Sequence, residues 1–244
     1  MTNAARTDSN QAAHFSAMAD EWWDRSGSSS MLHRVNIIRL EYIRERVATR
    51  FGRQIRGVNW LEGLSCLDVG CGGGILAECL ARLGGETTAI DTAEASIEVA
   101  KAHAAAQSLA IDYRLTTVAD LASTKGKYDL VTCMEVVEHV DDVPAFLGDL
   151  AKLVKPDGVL IFSTPNRTAM SYGTMILGAE WLLGLLPRGT HDWDSFLTPD
   201  ELSAMMTRAG LSVTETRGIA LNPARGFVLS ADKRVNYIGT AIPC

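Results

Sequence analysis

From residue 65 onward, short apolar runs alternate with amphipathic stretches, and this alternation sets the expected fold. Runs at 65–70, 86–91, 111–116, 128–134 and 158–163 read as buried strands. Between them, 74–83, 93–108 and 142–154 read as helices. Such alternation builds a doubly wound parallel sheet with helices on both faces. Ligands of these sheets sit beyond the carboxyl ends of the strands, where Gly70, Asp91 and Met134 fall. Further strands are expected near 211–217, 226–230 and 235–240. Before them, Thr198-Pro-Asp-Glu201 has the form of a capped helix start, with a hydroxyl to accept from free N–H groups and acids at the positive end.

Two regions depart from the alternation. Upstream, His14 to Asp24 reads as a helix carrying Trp22 and Trp23, followed by a Gly/Ser break at 26–30. A second helix then shows Val35, Ile38, Tyr42, Ile43 and Val47 at helical spacing. Residues 1–60 are thus expected to form a tail and helices covering the cofactor edge of a domain spanning 61–244. The other departure lies at 168–197, where Met170 to Leu186 is mostly apolar and Glu180 is its only charge. It is too short and glycine-broken for a membrane span. It reads as a lid over an apolar substrate, as a segment lying in a membrane surface, or as a buried helix.

The chemistry starts at Leu67 to Gly74, Leu-Asp-Val-Gly-Cys-Gly-Gly-Gly, a strand running through a glycine loop into a helix. Asp91 closes the next strand about twenty residues on, placing a carboxylate where it can accept from the hydroxyls of a ribose. A dinucleotide fingerprint requires a third glycine or alanine three residues after the second, and that position is Ile75. The glycines at 70, 72 and 74 instead resemble the cofactor loop of S-adenosylmethionine-dependent methyltransferases. Gly70 and Gly72 let the backbone approach a cofactor where a Cβ would intrude. By strand position, Asp120 is expected to reach the adenine amino group.

A second constellation, Tyr128-Asp-Leu-Val-Thr-Cys-Met-Glu-Val-Val-Glu-His139, ends a central strand with Glu135, Glu138 and His139 just outside it. If the turn is helical, offsets of three and four put these side chains on one face. Two carboxylates and an imidazole suit a divalent ion such as Mg²⁺, or leave His139 as a general base. Helix capping is the structural alternative.

Size and charge narrow the field. The 244 residues suit one α/β domain, and a net charge of -6 argues against a general nucleic-acid binder. Seven arginines against two acids between Arg34 and Arg56 form either a cationic face for an anionic membrane surface or ligand, or a solvated helix face. Five cysteines without a C-x-x-C pair read as reduced thiols rather than a zinc site or disulfide framework. The polar stretch Met1 to Ala13 lacks a signal core or transit character, so a cytoplasmic protein is expected.

Over nearly its whole length the chain resembles the ubiquinone-biosynthesis O-methyltransferase family. The resemblance runs through His33-Arg-Val-Asn-Ile-Ile-Arg-Leu40, Leu67 to Leu76, Thr132 to His139, Ser163-Thr-Pro-Asn-Arg167 and Gly189-Thr-His-Asp192. It implies a Rossmann-like, class I methyltransferase fold: a doubly wound, mostly parallel, seven-stranded sheet with N-terminal helices and a helical insertion before the last strands. It implies S-adenosylmethionine as methyl donor, contacted by Arg39, Gly70, Asp91 and Met134. Glu135, Glu138 and His139 match the ligand positions of metal-dependent members. The implied acceptor is a polyprenylated phenol or catechol, reached with help from the insertion, with a peripheral contact to membrane lipid or a quinone-biosynthesis complex. A methyltransferase for a soluble phenol and a non-catalytic cofactor-binding scaffold are the competing readings.

Overall fold

A computed structural model describes residues 22–24, 27, 29–55, 57–174, 193–222 and 224–244. Residues 14–21 of the expected first helix, most of the apolar segment 170–186 and the Gly189 to Asp192 motif lie outside the described residues, and Trp22 and Trp23, toward the end of that expected helix, form a turn rather than a helix.

The first described helix, α1 (Ser30–Phe51), is followed by the alternating elements β1 (Ser65–Val69), α2 (Ile75–Arg82), β2 (Glu86–Asp91), α3 (Glu94–Ala106), β3 (Asp112–Leu115), α4 (Val118–Ser123), β4 (Tyr128–Met134), α5 (Val143–Leu153) and β5 (Val154–Pro165). After the short helix α6 (Ala169–Ser171) come α7 (Pro199–Arg208), β6 (Leu211–Asn222), β7 (Gly226–Ser230) and β8 (Asn236–Pro243). The strands form one sheet in the order β3-β2-β1-β4-β5-β8-β6-β7. The first five run parallel, whereas β8 is antiparallel to both β5 and β6. The strand expected near 226–230 is present as β7, folded back on β6 as an edge hairpin, so the sheet has one strand more than the seven the resemblance implies. The small helix α4 is an addition to the expected elements.

Strand periodicity explains the two layers, since successive side chains point to opposite faces. Leu67, Val69, Val131, Cys133, Leu160 and Phe162 pack with Leu147, Leu150 and Leu153 of α5 and with Leu202 and Met206 of α7. On the other face Cys66, Leu130, Val159 and Ile161 meet Leu76 and Leu80 of α2 and the α1 stripe Val35, Ile38, Tyr42, Ile43 and Val47. Thr198 caps α7 as expected, accepting from Glu201 N while the Glu201 carboxylate accepts from Thr198 N, with Pro199 in the first turn. The five cysteines are free thiols.

The arginines of α1 are neither a bare cationic face nor simply solvated. Arg46 pairs with Glu215 of β6 and Arg50 donates to the carbonyls of Pro156, Asp157 and Gly158 on β5, while Arg53, just past the helix, ties the following loop through the carbonyls of Trp60 and Glu62. Arg46 and Arg50 fasten the helix to the sheet, while Arg34 and Arg44 remain exposed.

One acid lies within the sheet. Asp68 on β1 is 3% exposed and accepts from the Thr132 hydroxyl at 2.7 Å. Burial pushes its carboxyl up to about 7, against the lowering effects of Thr132 and Arg39. A carboxyl raised on folding contributes most to stability below its unfolded pKa, and that contribution is lost as pH rises through the folded value. Asp68→Asn is therefore expected to match the parent near pH 4 and to exceed its unfolding free energy by on the order of 2 kcal/mol at pH 8. Denaturant titration of both proteins across this window checks it; a difference that does not change with pH contradicts it.

Candidate functional site

The carboxyl ends of β1, β2 and β4 open into one cavity of about 750 Å³. Gly70, Cys71 and Gly72 form one wall, with Asp91, Thr117 and Val118 beyond them, and Met134, Glu135, Val136 and His139 lie opposite. Gly70 (φ 67°) and Gly72 (φ 51°) take left-handed conformations, and a Cβ on Gly70 would run into the Val136 side chain. Glycine is required here because a neighbouring side chain packs directly on the loop backbone. The loop is pinned from outside: Gly70 N and Cys71 N donate to the Ile90 carbonyl at 2.9 and 3.0 Å.

Asp91 stands where the sequence placed it. Its carboxylate accepts from Gly72 N and Ala93 N, each at 2.8 Å. Burial raises its pKa while these N–H groups hold it down. Each carboxylate oxygen keeps a further lone pair, as recognition of a ribose diol requires. Met134, 9% exposed, lines the cavity as a soft apolar surface.

Asp120 requires a correction. It is exposed, accepts from the Thr117 hydroxyl at 2.8 Å and donates its own N–H to that oxygen, capping α4. Thr117 and Val118 line the cavity in its place. The misplacement follows from α4: the strand-end rule points at the residues just after β3, and the added helix turns Asp120 outward.

The acid–histidine turn also departs from expectation. Glu135 adopts φ 55°, and the only helical turn is a single 3-10 turn, Val137–His139. Offsets of three and four then no longer share a face. The Glu135 carboxylate accepts from Arg39 at 3.1 Å and Asn236 at 2.8 Å, and also from the Ser163 hydroxyl. Glu138 is buried, accepts from the Thr164 hydroxyl at 2.9 Å, and is pushed well above the usual carboxylate range by burial and then by the charge of Glu135. Among the described residues no three His, Cys, Asp or Glu side chains form a group able to hold a metal ion. The expected Mg²⁺ site from Glu135, Glu138 and His139 is therefore not assembled in this arrangement. Glu135 and His139 face the cavity, and Glu138 supports the turn from beneath.

Arg39 reaches the cavity as implied, but its Nη2 is shared between Glu135 and Ser163, and its Nε has no partner. Asp68, Asn36, Trp22 and Asn236 also line the cavity and were not singled out beforehand. Asp68 was open to recognition, since it lies inside the glycine motif itself. Asn236 had no local signal, because only the pairing of β8 with β5 brings it beside Glu135.

Val140, Phe146, Met170, Ile219, Leu221 and Phe227 give the cavity an apolar lining, with the exposed Asp232–Arg234 ion pair also on its wall. Met170 and Leu221 are 43% and 70% exposed, so the cavity opens outward past greasy side chains. One volume thus joins a nucleoside cradle, an acid–imidazole turn and an apolar channel.

A model of the methyltransferase domain family matches residues 31–216. The ubiquinone biosynthesis O-methyltransferase of Methylobacterium nodulans is 46% identical over 97% of this chain and 96% of its own length. The protein of the same name from Parvibaculum lavamentivorans is 46% identical over 98% and 95%. The crystal structure of magnesium protoporphyrin IX methyltransferase from Synechocystis PCC 6803 with bound SAH is similar with a TM-score of 0.67 and 19% identity, covering 98% of this chain and 100% of that one. That likeness is one of fold, whereas the sequence relatives give the family. With its glycine cradle, its strand-end acid and its near full-length identity to these relatives, the chain belongs to the ubiquinone biosynthesis O-methyltransferase family.

Proposed function

We propose that this chain transfers a methyl group from S-adenosylmethionine to a phenolic hydroxyl of a polyprenylated ubiquinone precursor. The observation that carries the reading is the continuity of the cavity from the Gly70–Gly72 cradle, past His139, to the apolar walls at Phe146, Leu221 and Phe227. A soluble-phenol enzyme has no need of the apolar channel, and a mere cofactor scaffold has no need of an imidazole facing it.

The residues fit the donor. The Gly70–Gly72 backbone, on which Val136 and Trp22 pack directly, lines the donor end of the cavity, the Asp91 carboxylate receives the ribose hydroxyls, Met134 lies against the adenosine, and Arg39 offers an unpartnered N–H to the carboxylate end. When bound, the donor supplies an electrophilic methyl on a sulfonium, attacked in line by the acceptor oxygen.

The protein's task is then the acceptor proton. A phenol with a pKa near 10 is only about a thousandth ionised at pH 7, a deficit of roughly 4 kcal/mol. His139, on the cavity wall, removes the proton as general base. Glu135, held by Arg39 and Asn236, fixes the polarity of the wall beside it. Glu138, with its carboxyl pushed toward the neutral form, holds the turn through Thr164 and acts as a positioning residue. The other route to the phenolate, a divalent ion acting as Lewis acid, would require Glu135, Glu138 and His139 to converge on it.

The exposed apolar rim also supports a membrane-side approach. Among the described residues no helix is long and apolar enough to cross a membrane. Met170, Tyr172 and Leu221 are exposed apolar side chains, and Met170 and Leu221 line the outward end of the cavity, offering a prenyl tail a path from a bilayer surface.

Two measurements test this. His139→Gln is expected to lower kcat by about 10²-fold or more while S-adenosylhomocysteine affinity stays within about twofold of the parent. The loss should shrink for an acidified catechol that ionises without help. An unchanged kcat removes His139 from the chemistry. Separately, Phe227→Ala should raise KM about tenfold for a prenylated acceptor, in line with the ~1–3 kcal/mol value of apolar pocket contacts, yet leave a tail-less catechol unaffected. Equal loss on both acceptors would mean that Phe227 serves the fold rather than the tail.

A further inference from the structure

Two adjacent tryptophans bracket the glycine loop. Trp22 is 8% exposed, and its ring lies so close over Gly72 that a Cβ there would come within 2.6 Å of it; a Cβ on Gly73 would overlap the same indole. The Trp22 carbonyl meets His33 Nε2 of α1 at 3.0 Å. Trp23 donates its indole N–H to the Gly73 carbonyl at 3.0 Å and stacks on the His103 ring, with centroids 3.5 Å apart and planes 8° from parallel. His103 of α3 is itself held by the buried Glu78 of α2, with Nδ1 2.6 Å from the carboxylate. The tryptophan pair is thereby clamped onto the loop from three helices.

Beside the clamp, Trp22 Nε1, Arg39 Nε and Asn36 Oδ1 are buried without a partner, as is Asn236 Oδ1 next to Glu135. Their residues line the same cavity. The first two are donors without an acceptor, and the third is an acceptor without a donor. Asn36 is oriented by its amide nitrogen, which donates to the Ile75 carbonyl at 3.4 Å. A buried donor or acceptor is costly to leave unpaired, so the set is complementary to a ligand carrying an anionic acceptor next to a cationic donor. The amino-acid end of S-adenosylmethionine has that pair, a carboxylate beside an ammonium. Adenine and ribose offer no charged pair of this kind.

We propose that Trp22 and Asn36 are cofactor-positioning residues, the indole N–H donating to the carboxylate of the methyl donor and the Asn36 amide oxygen accepting from its ammonium. This rests on the reading of the cavity as the methyl-donor site. Through these contacts the amino-acid end is anchored to the N-terminal helical layer, and the sulfur is oriented toward the turn that carries His139.

Calorimetric titration with two ligands tests it: S-adenosylhomocysteine, which has the amino-acid end, and 5′-methylthioadenosine, which lacks it. Trp22→Phe keeps an aromatic ring on the loop and removes the N–H. Its Kd for S-adenosylhomocysteine is expected to rise about tenfold, with that for 5′-methylthioadenosine within about twofold of the parent. Asn36→Ala should weaken the first ligand selectively, and Asn36→Asp should restore it. Trp23→Phe, which touches only the clamp, should shift both ligands alike. Equal weakening of both ligands by Trp22→Phe, or no weakening of either, overturns the proposal. A parent protein that binds neither ligand overturns the methyl-donor reading itself.

Discussion

A guanidinium taken out of water must find a carboxylate, and Arg39 of α1 finds one in Glu135 at the end of β4. Removing one partner from such a pair leaves an uncompensated charge, at a cost of roughly 3–5 kcal/mol. The position of α1 over the sheet edge is therefore coupled to the conformation of the turn after β4. Ser163 from β5 and Asn236 from β8 complete the group around the same carboxylate. Four elements far apart in sequence meet at one acid, and the cavity between the glycine loop and the imidazole is what remains open beside it.

This explains why the two halves of the site differ in how far the sequence disclosed them. The cradle is local: Gly70, Gly72 and Asp91 belong to one β-α-β unit, whose register, Asp68 opposite Ala89 and Val69 opposite Ile90, follows from parallel pairing. Glycine spacing and strand length sufficed there. The acid–histidine turn is not local. Its shape depends on a left-handed backbone at Glu135, a conformation a non-glycine residue rarely adopts unless its surroundings enforce it. Nothing between Met134 and His139 announces that, because the enforcing partners are Arg39, Ser163 and Asn236. The arginines of α1 were ambiguous for the same reason, since composition reports a charge and not the carbonyl that receives it. Asp120 was misplaced by α4, a helix of six residues too brief to leave a periodic signal.

The division has a functional counterpart. The cofactor half is built from the parallel strands, as a methyltransferase-domain relative would share. On the proposed reading, the acceptor half is formed by Phe146, by Met170 after β5, and by Ile219, Leu221 and Phe227 on the antiparallel β6–β7 hairpin, all of which line the cavity. The added eighth strand is thus more than an edge decoration. It carries Phe227 and holds the end of β6 in the wall of the channel, placing the features that select an acceptor on the least conventional part of the sheet.

The order of the strands also bears on how the molecule comes to exist. β8 follows β6 and β7 along the chain yet lies between β5 and β6 in the sheet. The hairpin of β6 and β7 has no seat on the parallel strands until β8 has been laid down. On a ribosome, the cofactor half can gather while synthesis continues, but the acceptor wall must wait for a strand translated after it. During that interval the open edge of β5 and the apolar face of β6 are exposed together, the kind of late, non-local pairing that slows folding and invites association with other unpaired strands. With β8 made after the hairpin it seats, the cavity wall formed by β6 and β7 closes only when the whole sheet has formed.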